Sequence, residues 1–270
     1  MSSNEIKKAI EEKTQVIAET VVDRQYKLQP EIWEKYGEKG REISIRDVTY
    51  HLPYLTEAIS ASDPSMFVNY VLWVRELFRG LNFPDSVLPT TLNCMEEVIG
   101  ELLGPEMSGM TTAYINEGLA KLGQGPEEDV SFISDDSPFA DMARLYLENL
   151  LEGKRHEAGK LIMDAVEDGI SIQDIYLHVF QASQYEIGRL WHTKKVTVAQ
   201  EHYCSAATER IMSQLYAKIF STERLGRTYV GACVGGELHQ IGARMVADFF
   251  EMAGWDTYYL GANAPSSAIL

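Results

Sequence analysis

TYVGACVGGELHQIG, residues 228–242, is the stretch on which the organisation of the chain turns. Its first part, Thr228 to Val234, is a short apolar run of the kind that forms a buried strand. Ala243 to Met252 follows with the pattern of a helix. Glu237, His239 and Gly242 therefore fall on a strand-to-helix turn. In open α/β sheets that turn lies at the carboxyl end of the strand, where ligands bind. A neutral imidazole there can coordinate a metal while a nearby carboxylate holds its other ring nitrogen. A glycine lets something bulky approach the backbone. Taken alone, E-x-H-x-x-G is equally compatible with a loop histidine that binds nothing.

Beyond that turn, a second apolar run, Thr257 to Gly261, completes a strand–helix–strand unit. Such a unit implies a parallel pair, the start of a Rossmann-like sheet. Before it, residues 139–221 carry four helical segments, 139–152, 155–168, 171–190 and 197–220. The breaks between them are short, which argues for an antiparallel four-helix bundle. Thr197 to Gln200 has the pattern of a capping box. Trp191 and His192 end the third helix, and Glu201 and His202 open the fourth. The hairpin brings these four residues to one end of the bundle. Trp191 offers a flat apolar face, and Glu201 and His202 offer hydrogen bonds to a polar ligand. A buried tryptophan beside solvated charges is the plainer alternative.

Residues 1–122 read as a separate helical domain, for which a globin-like arrangement is one option. A long polar-rich helix runs from Asn4 to about Tyr26, Ile45–Ile59 has helical spacing, and Pro53 should mark a helix start or a kink. Asp63-Pro64 opens a helix with a clear apolar face from Phe67 to Phe78. The domain is rich in aromatics, among them Trp33, Tyr54, Tyr70 and Trp73, which suit either an ordinary core or a pocket for a flat chromophore. His51 and Cys94 are its candidate coordinating or thioether residues. Residues 123–138 are a linker by composition.

The chain as a whole has 270 residues and a formal charge of −16. An acidic surface repels phosphate backbones, which argues against direct binding to DNA or RNA. No apolar run approaches the length of a membrane span. Three widely spaced cysteines, Cys94, Cys204 and Cys233, suggest reduced thiols in a cytoplasmic protein. No phosphate-cradling loop, H-E-x-x-H or C-x-x-C motif is present.

A four-helix bundle followed by strand–E-x-H-x-x-G–helix resembles the corrinoid-binding module of cobalamin proteins. The resemblance covers about residues 139–265. It implies that His239 is the lower axial ligand of cobalt, with Glu237 in place of the usual aspartate and Gly242 as the motif glycine. Within that superfamily, Trp191 followed at the same interval by Glu201-His202 resembles the CarH-type light sensors, where the corresponding residues cover the adenosyl group. His192 then corresponds to a histidine that binds cobalt once light has removed that group. The N-terminal domain is unlike the basic DNA-binding domain of those repressors. Its architecture is similar to that of the photocobilins, which combine cobalamin with biliverdin.

The resemblance implies a photoreceptor, not an enzyme, with adenosylcobalamin and a biliverdin as cofactors and a homo-oligomer that changes with light. The effector is left open. A corrinoid methyl carrier of a methyltransferase system is the alternative, and a helical module without a cofactor is a third reading. Residues 222–270 are expected to be only the start of a corrinoid-binding domain, as in a truncated chain.

Overall fold

In the computed structural model, residues 2–124, 130–220, 222–265 and 267 are described. The chain divides into two compact units, residues 1–128 and 129–270.

The first unit is all helical among its described residues: α1 (Ser3–Leu28), α2 (Pro30–Trp33), α3 (Gly37–Ala61), α4 (Pro64–Gly80), α5 (Val87–Leu103) and α6 (Pro105–Leu122). Its helix starts follow from the sequence. Ser2 and Glu5 form a reciprocal capping box on α1, and Asp63 caps α4 with Pro64 in the first turn. Its core joins Ile17, Val21, Leu52, Leu55, Phe67, Leu92 and Met95 from four helices.

Pro53 neither starts nor visibly ends a helix, since α3 runs through it. An interior proline costs about 3 kcal/mol. Leu52, Leu55, Ala58 and Ile59, buried around it, offset that cost, because each large apolar side chain returns about 1.5–3 kcal/mol on burial. The helix also begins eight residues before the expected Ile45.

The second unit opens with α7 (Ala140–Leu151) and α8 (Arg155–Glu167), followed by α9 (Ile172–Asp174). A π-helical turn (Ile175–Phe180) leads straight into α10 (Gln181–His192). Next come α11 (Val198–Gln214), the short α12 (Tyr216–Ile219), β1 (Thr228–Gly231), α13 (Ile241–Met252) and β2 (Asp256–Tyr259). The capping box expected at α11 is present, with Thr197 and Gln200 reciprocally bonded. In the π turn the Gln181 N–H reaches back to the Tyr176 carbonyl, and both Tyr176 and Phe180 are fully buried. The extra residue in that turn resets which face α10 presents, as such turns do.

The described part of the expected linker is no free tether. Ile133 is buried in the bundle core, and the Phe132 N–H donates to the buried Glu186 carboxylate at 3.0 Å. Residues 125–129 lie outside the described residues.

The two strands are parallel, with Thr228 opposite Asp256 and Gly231 opposite Tyr259. Beyond Gly231 the expected strand persists only as a single bridge between Val234 and Ala264, with Cys233 bonded to Gly261 and Ala264. Ladder pairing ends where Gly261, at φ 82°, turns the second chain away. One face of α13 completes the bundle core through Met245, with Ile241 and Phe249 packed against it. The Tyr176 hydroxyl donates to the buried Asp248 carboxylate at 2.7 Å, so bundle and sheet share one interior.

Candidate functional site

The loop between β1 and α13 is tied down at both sides of His239. The Gly236 N–H donates to Asn263 Oδ1 at 2.7 Å, and Asn263 N–H returns to the Glu237 carbonyl at 2.9 Å. Gly236 adopts φ 88°, a turn conformation suited to glycine. Glu237 Oε1 lies 2.6 Å from both the backbone nitrogen and Nδ1 of His239. Those hydrogen bonds, from the backbone first, hold the Glu237 carboxyl below its ordinary range. With Nδ1 engaged, the ring directs Nε2 outward, and its side chain is 97% exposed. That is the arrangement of a metal-ligating imidazole with a carboxylate behind it. A Cβ added at Gly242 would meet nothing within 4 Å, so open space adjoins the loop.

The bundle end holds the other four residues. Trp191 and His192 end α10, half-buried, with ring centroids 6.4 Å apart. Glu201 lies in the first turn of α11 with its side chain 24% exposed, and its Oε2 is paired with Nδ1 of the exposed His202. Ser205 Oγ lies 2.9 Å from Glu201 Oε1 and 2.9 Å from Gln184 Oε1. Gln184 Nε2 in turn donates to the buried Thr208 hydroxyl, which also meets the Tyr146 hydroxyl at 2.9 Å.

One helix connects the two halves of the site. Glu201, Ser205 and Glu209 fall on one face of α11, four residues apart. Glu209 Oε1 accepts from Nε2 of Gln240, the residue after His239, at 2.8 Å. Arg244 donates to the Glu209 carbonyl and to Ser213, further down α11. Eight residues of helix separate Glu201 from Glu209, about 12 Å of axial rise. The upper pair and the loop are thus held on a common support. Sequence reasoning missed this support, and the four-residue repeat of polar side chains on α11 was the signal for it.

In the first unit, His51 and Cys94 are both buried. The His51 Nδ1 lies 2.7 Å from the Tyr70 hydroxyl, and desolvation lowers the pKa of the ring to about 4. Cys94 sits inside the core, where burial pushes its thiol up to about 11. Cys204 and Cys233 are buried too. An aromatic face does stand open beside His51. Tyr54 and Tyr70 stack at 3.7 Å and 9°, and Trp73 lies nearly parallel to Tyr70 at 6.4 Å. Tyr54 and Trp73 are about half exposed at 52% and 45%. Asp47, four residues before His51 on α3, carries a carboxyl raised by partial burial.

No described helix is long and apolar enough to cross a membrane. Among the described residues no group of three or more His, Cys, Asp or Glu is arranged to hold a bare metal ion.

Comparison with known proteins agrees with this division. Residues 142–216 match the B12 binding domain family, a segment that begins inside α7, runs through α11 and ends before the His239 loop. Residues 2–122 match the phycobilisome protein family. Among curated relatives, the allophycocyanin beta chains of Mastigocladus laminosus and Anabaena cylindrica are 36% and 35% identical over 89 residues. Those residues are 32% of this chain and 55% of each relative. The chain therefore spans about half the length of the curated relatives it matches. The second unit contains a B12-binding type of helical domain, and the first is a helical domain of phycobilisome type with the globin-like arrangement.

Proposed function

We propose that this chain is a light sensor that holds adenosylcobalamin between the end of its helical bundle and the His239 loop. The observation that carries the reading is His239 itself. Glu237 fixes its Nδ1 at 2.6 Å, its Nε2 faces open space, and its neighbour Gln240 is bonded to the helix that bears Glu201 and His202. A single exposed imidazole would suit a cobalt already held by a corrin ring, and it suits a bare ion poorly. Gly242 leaves room beside it.

Adenosylcobalamin supplies a cobalt–carbon bond that visible light breaks. The residues of the chain hold and shield its upper ligand. Trp191 presents a flat face for stacking, Glu201 and His202 offer hydrogen bonds to sugar and base, and together they exclude water. His192 is the residue that would hold the cobalt in the illuminated state. A shift of the bundle against the loop, carried by Glu209 and Gln240, is the two-state element of the switch. The chain itself is then a sensor and not an enzyme, in which light drives a rearrangement of the domains or of a homo-oligomer.

On the first unit we place a linear tetrapyrrole of biliverdin type. The Tyr54–Tyr70–Trp73 face offers stacking, and the Asp47 carboxylate can accept from pyrrole N–H groups.

The test is an absorbance spectrum of the full chain with adenosylcobalamin, in the dark and after green light. A bound spectrum that changes irreversibly supports the sensor. Preference for methyl- or hydroxocobalamin, with no such change, makes the chain a methyl carrier, and no bound spectrum at all removes the cofactor. Adding biliverdin should produce a red or far-red band that Tyr54→Ala weakens, and the absence of any band would remove the bilin. His192→Ala should leave the dark spectrum as it is and alter the illuminated one. An unchanged illuminated spectrum would refute that role for His192.

A further inference from the structure

Glu201 does not stand alone at the bundle mouth; a line of polar side chains runs from it into the dry interior. The line passes through Ser205, Gln184 and Thr208 to Tyr146, and the last two are fully buried. Such a line is costly to build, because every buried polar group must find a partner. The bundle could have filled these positions with apolar side chains, which are often as stable.

The proton count along the line is informative. Ser205 has one hydroxyl proton but two acceptor oxygens at 2.9 Å, Gln184 Oε1 and Glu201 Oε1. The Thr208 hydroxyl gives its one proton to the Cys204 carbonyl at 2.9 Å and accepts from Gln184 Nε2, while Ser205 gives its one proton to the charged acceptor, the Glu201 carboxylate. A carboxylate that accepts from Ser205 is held in one rotamer, with Oε1 fixed from below and Oε2 left for His202.

We propose that Ser205 and Gln184 are positioning residues that aim Glu201 at the bundle mouth and so set the preference for a large hydroxyl-bearing upper ligand over a small one. The proposal rests on the cobalamin reading of the site and goes beyond it in naming what makes that site selective. Ser205 Oγ lies against Glu201 Oε1 and Gln184 stands behind Ser205, one step further along the line into the bundle. Their effect is therefore exerted through the carboxylate. A methyl ligand offers the Glu201 carboxylate nothing to accept from. Adenosyl, with its ribose hydroxyls, gains from a carboxylate already in place.

The experiment compares the affinities of the full chain in the dark for adenosylcobalamin and methylcobalamin, for wild type, Ser205→Ala, Gln184→Met and Ser205→Thr. Ser205→Ala and Gln184→Met are expected to weaken adenosylcobalamin about tenfold, the scale of one hydrogen bond to a charged group, and to leave methylcobalamin within about twofold. Ser205→Thr keeps the hydroxyl and should restore the preference. Equal weakening of both cobalamins would mean that the line merely supports the fold, and the proposal would be overturned. No change in either would overturn it as well. A wild type that binds cobalamin without preferring the adenosyl form would sink this proposal and leave the cobalamin reading standing, whereas a wild type that binds neither would sink both.

A second readout needs no cofactor. In nitrogen-detected spectra of the histidine rings, Ser205→Ala should move the His202 resonances, because Glu201 is no longer held against Nδ1, and Ser205→Thr should return them. Unmoved His202 resonances in Ser205→Ala would contradict the positioning role even if affinities changed.

Discussion

Two histidines, one in each unit, are treated in opposite ways. His51 is closed in: a tyrosine hydroxyl lies 2.7 Å from its Nδ1, and burial lowers its pKa to about 4. His239 is tied by one nitrogen and otherwise stands almost wholly in solvent. A candidate ligand needs that second condition, with one nitrogen fixed and the other presented outward. The difference shows why counting histidines in a sequence is a poor guide to ligands. His51 lies on a helix among aromatic neighbours, whereas His239 lies in a loop among glycine and polar neighbours, and the backbone around each decides which one faces outward.

The comparison breaks most readily at His239. His239→Ala should weaken cobalamin binding by well over tenfold in an absorbance titration, while His51→Ala should leave that affinity unchanged. A corrinoid defect in His51→Ala would undo the distinction. Next in size, Glu237→Gln should weaken binding about tenfold, the usual scale for a partner behind a metal ligand. Full affinity in that variant would show that the carboxylate does not prepare the ring.

A smaller effect is expected on the stability of the first unit. The folded pKa of His51 lies below the ordinary histidine value, so between about pH 6.5 and 4 the unfolded chain binds the extra proton. The contribution of His51 is complete above that window and is lost as pH falls through it. Chemical denaturation of wild type and His51→Gln between pH 7 and 4.5 should show the steeper loss in wild type. Parallel curves would mean that the ring is not held neutral. The smallest effect should come from Thr197→Ala, which removes the cap that starts α11 beneath Glu201 and His202. It should cost about 1 kcal/mol of stability in the second unit, and an unchanged melting temperature would remove the cap from the account.

The second unit was the more legible of the two in the sequence. Its helices are short, their breaks carry glycine or polar turns, and the pairing of Trp191-His192 with Glu201-His202 follows from a single hairpin. The strand–turn–helix placement of Glu237, His239 and Gly242 holds in the structure, although α13 starts at Ile241, before the glycine, and not at Ala243. The apolar run Ala232–Val234 reads as strand because apolarity alone does not reveal where the partner strand turns away. The π turn was invisible, since one extra residue in a helix leaves no mark on composition. So was the burial of Ile133 in a segment that reads as linker by its glycine, proline and acidic residues.

The first unit was harder to read. Pro53 suggested a break that surrounding burial overrides, and its aromatics serve both the core and the open face with no difference in pattern. Phe67 is buried and Trp73 is not, yet they lie on the same helix six residues apart. Cys94 shows the same ambiguity, for a thiol suited to covalent attachment and a thiol used as filler are the same letter.

The contact between Glu209 and Gln240 imposes a rule on the spacing of the two halves of the site. Because α11 advances by about 100° per residue, the 201–209 interval fixes an angle as well as a length. One residue inserted between Ser205 and Glu209 would swing the grip on Gln240 about a quarter-turn out of line while leaving Glu201 where it is. Seven inserted residues would restore the angle and lift one half of the site about 10 Å from the other. The interval between the motifs is therefore set in phase and in distance together, and chains that share this architecture can change the residues along α11 far more freely than they can change its count.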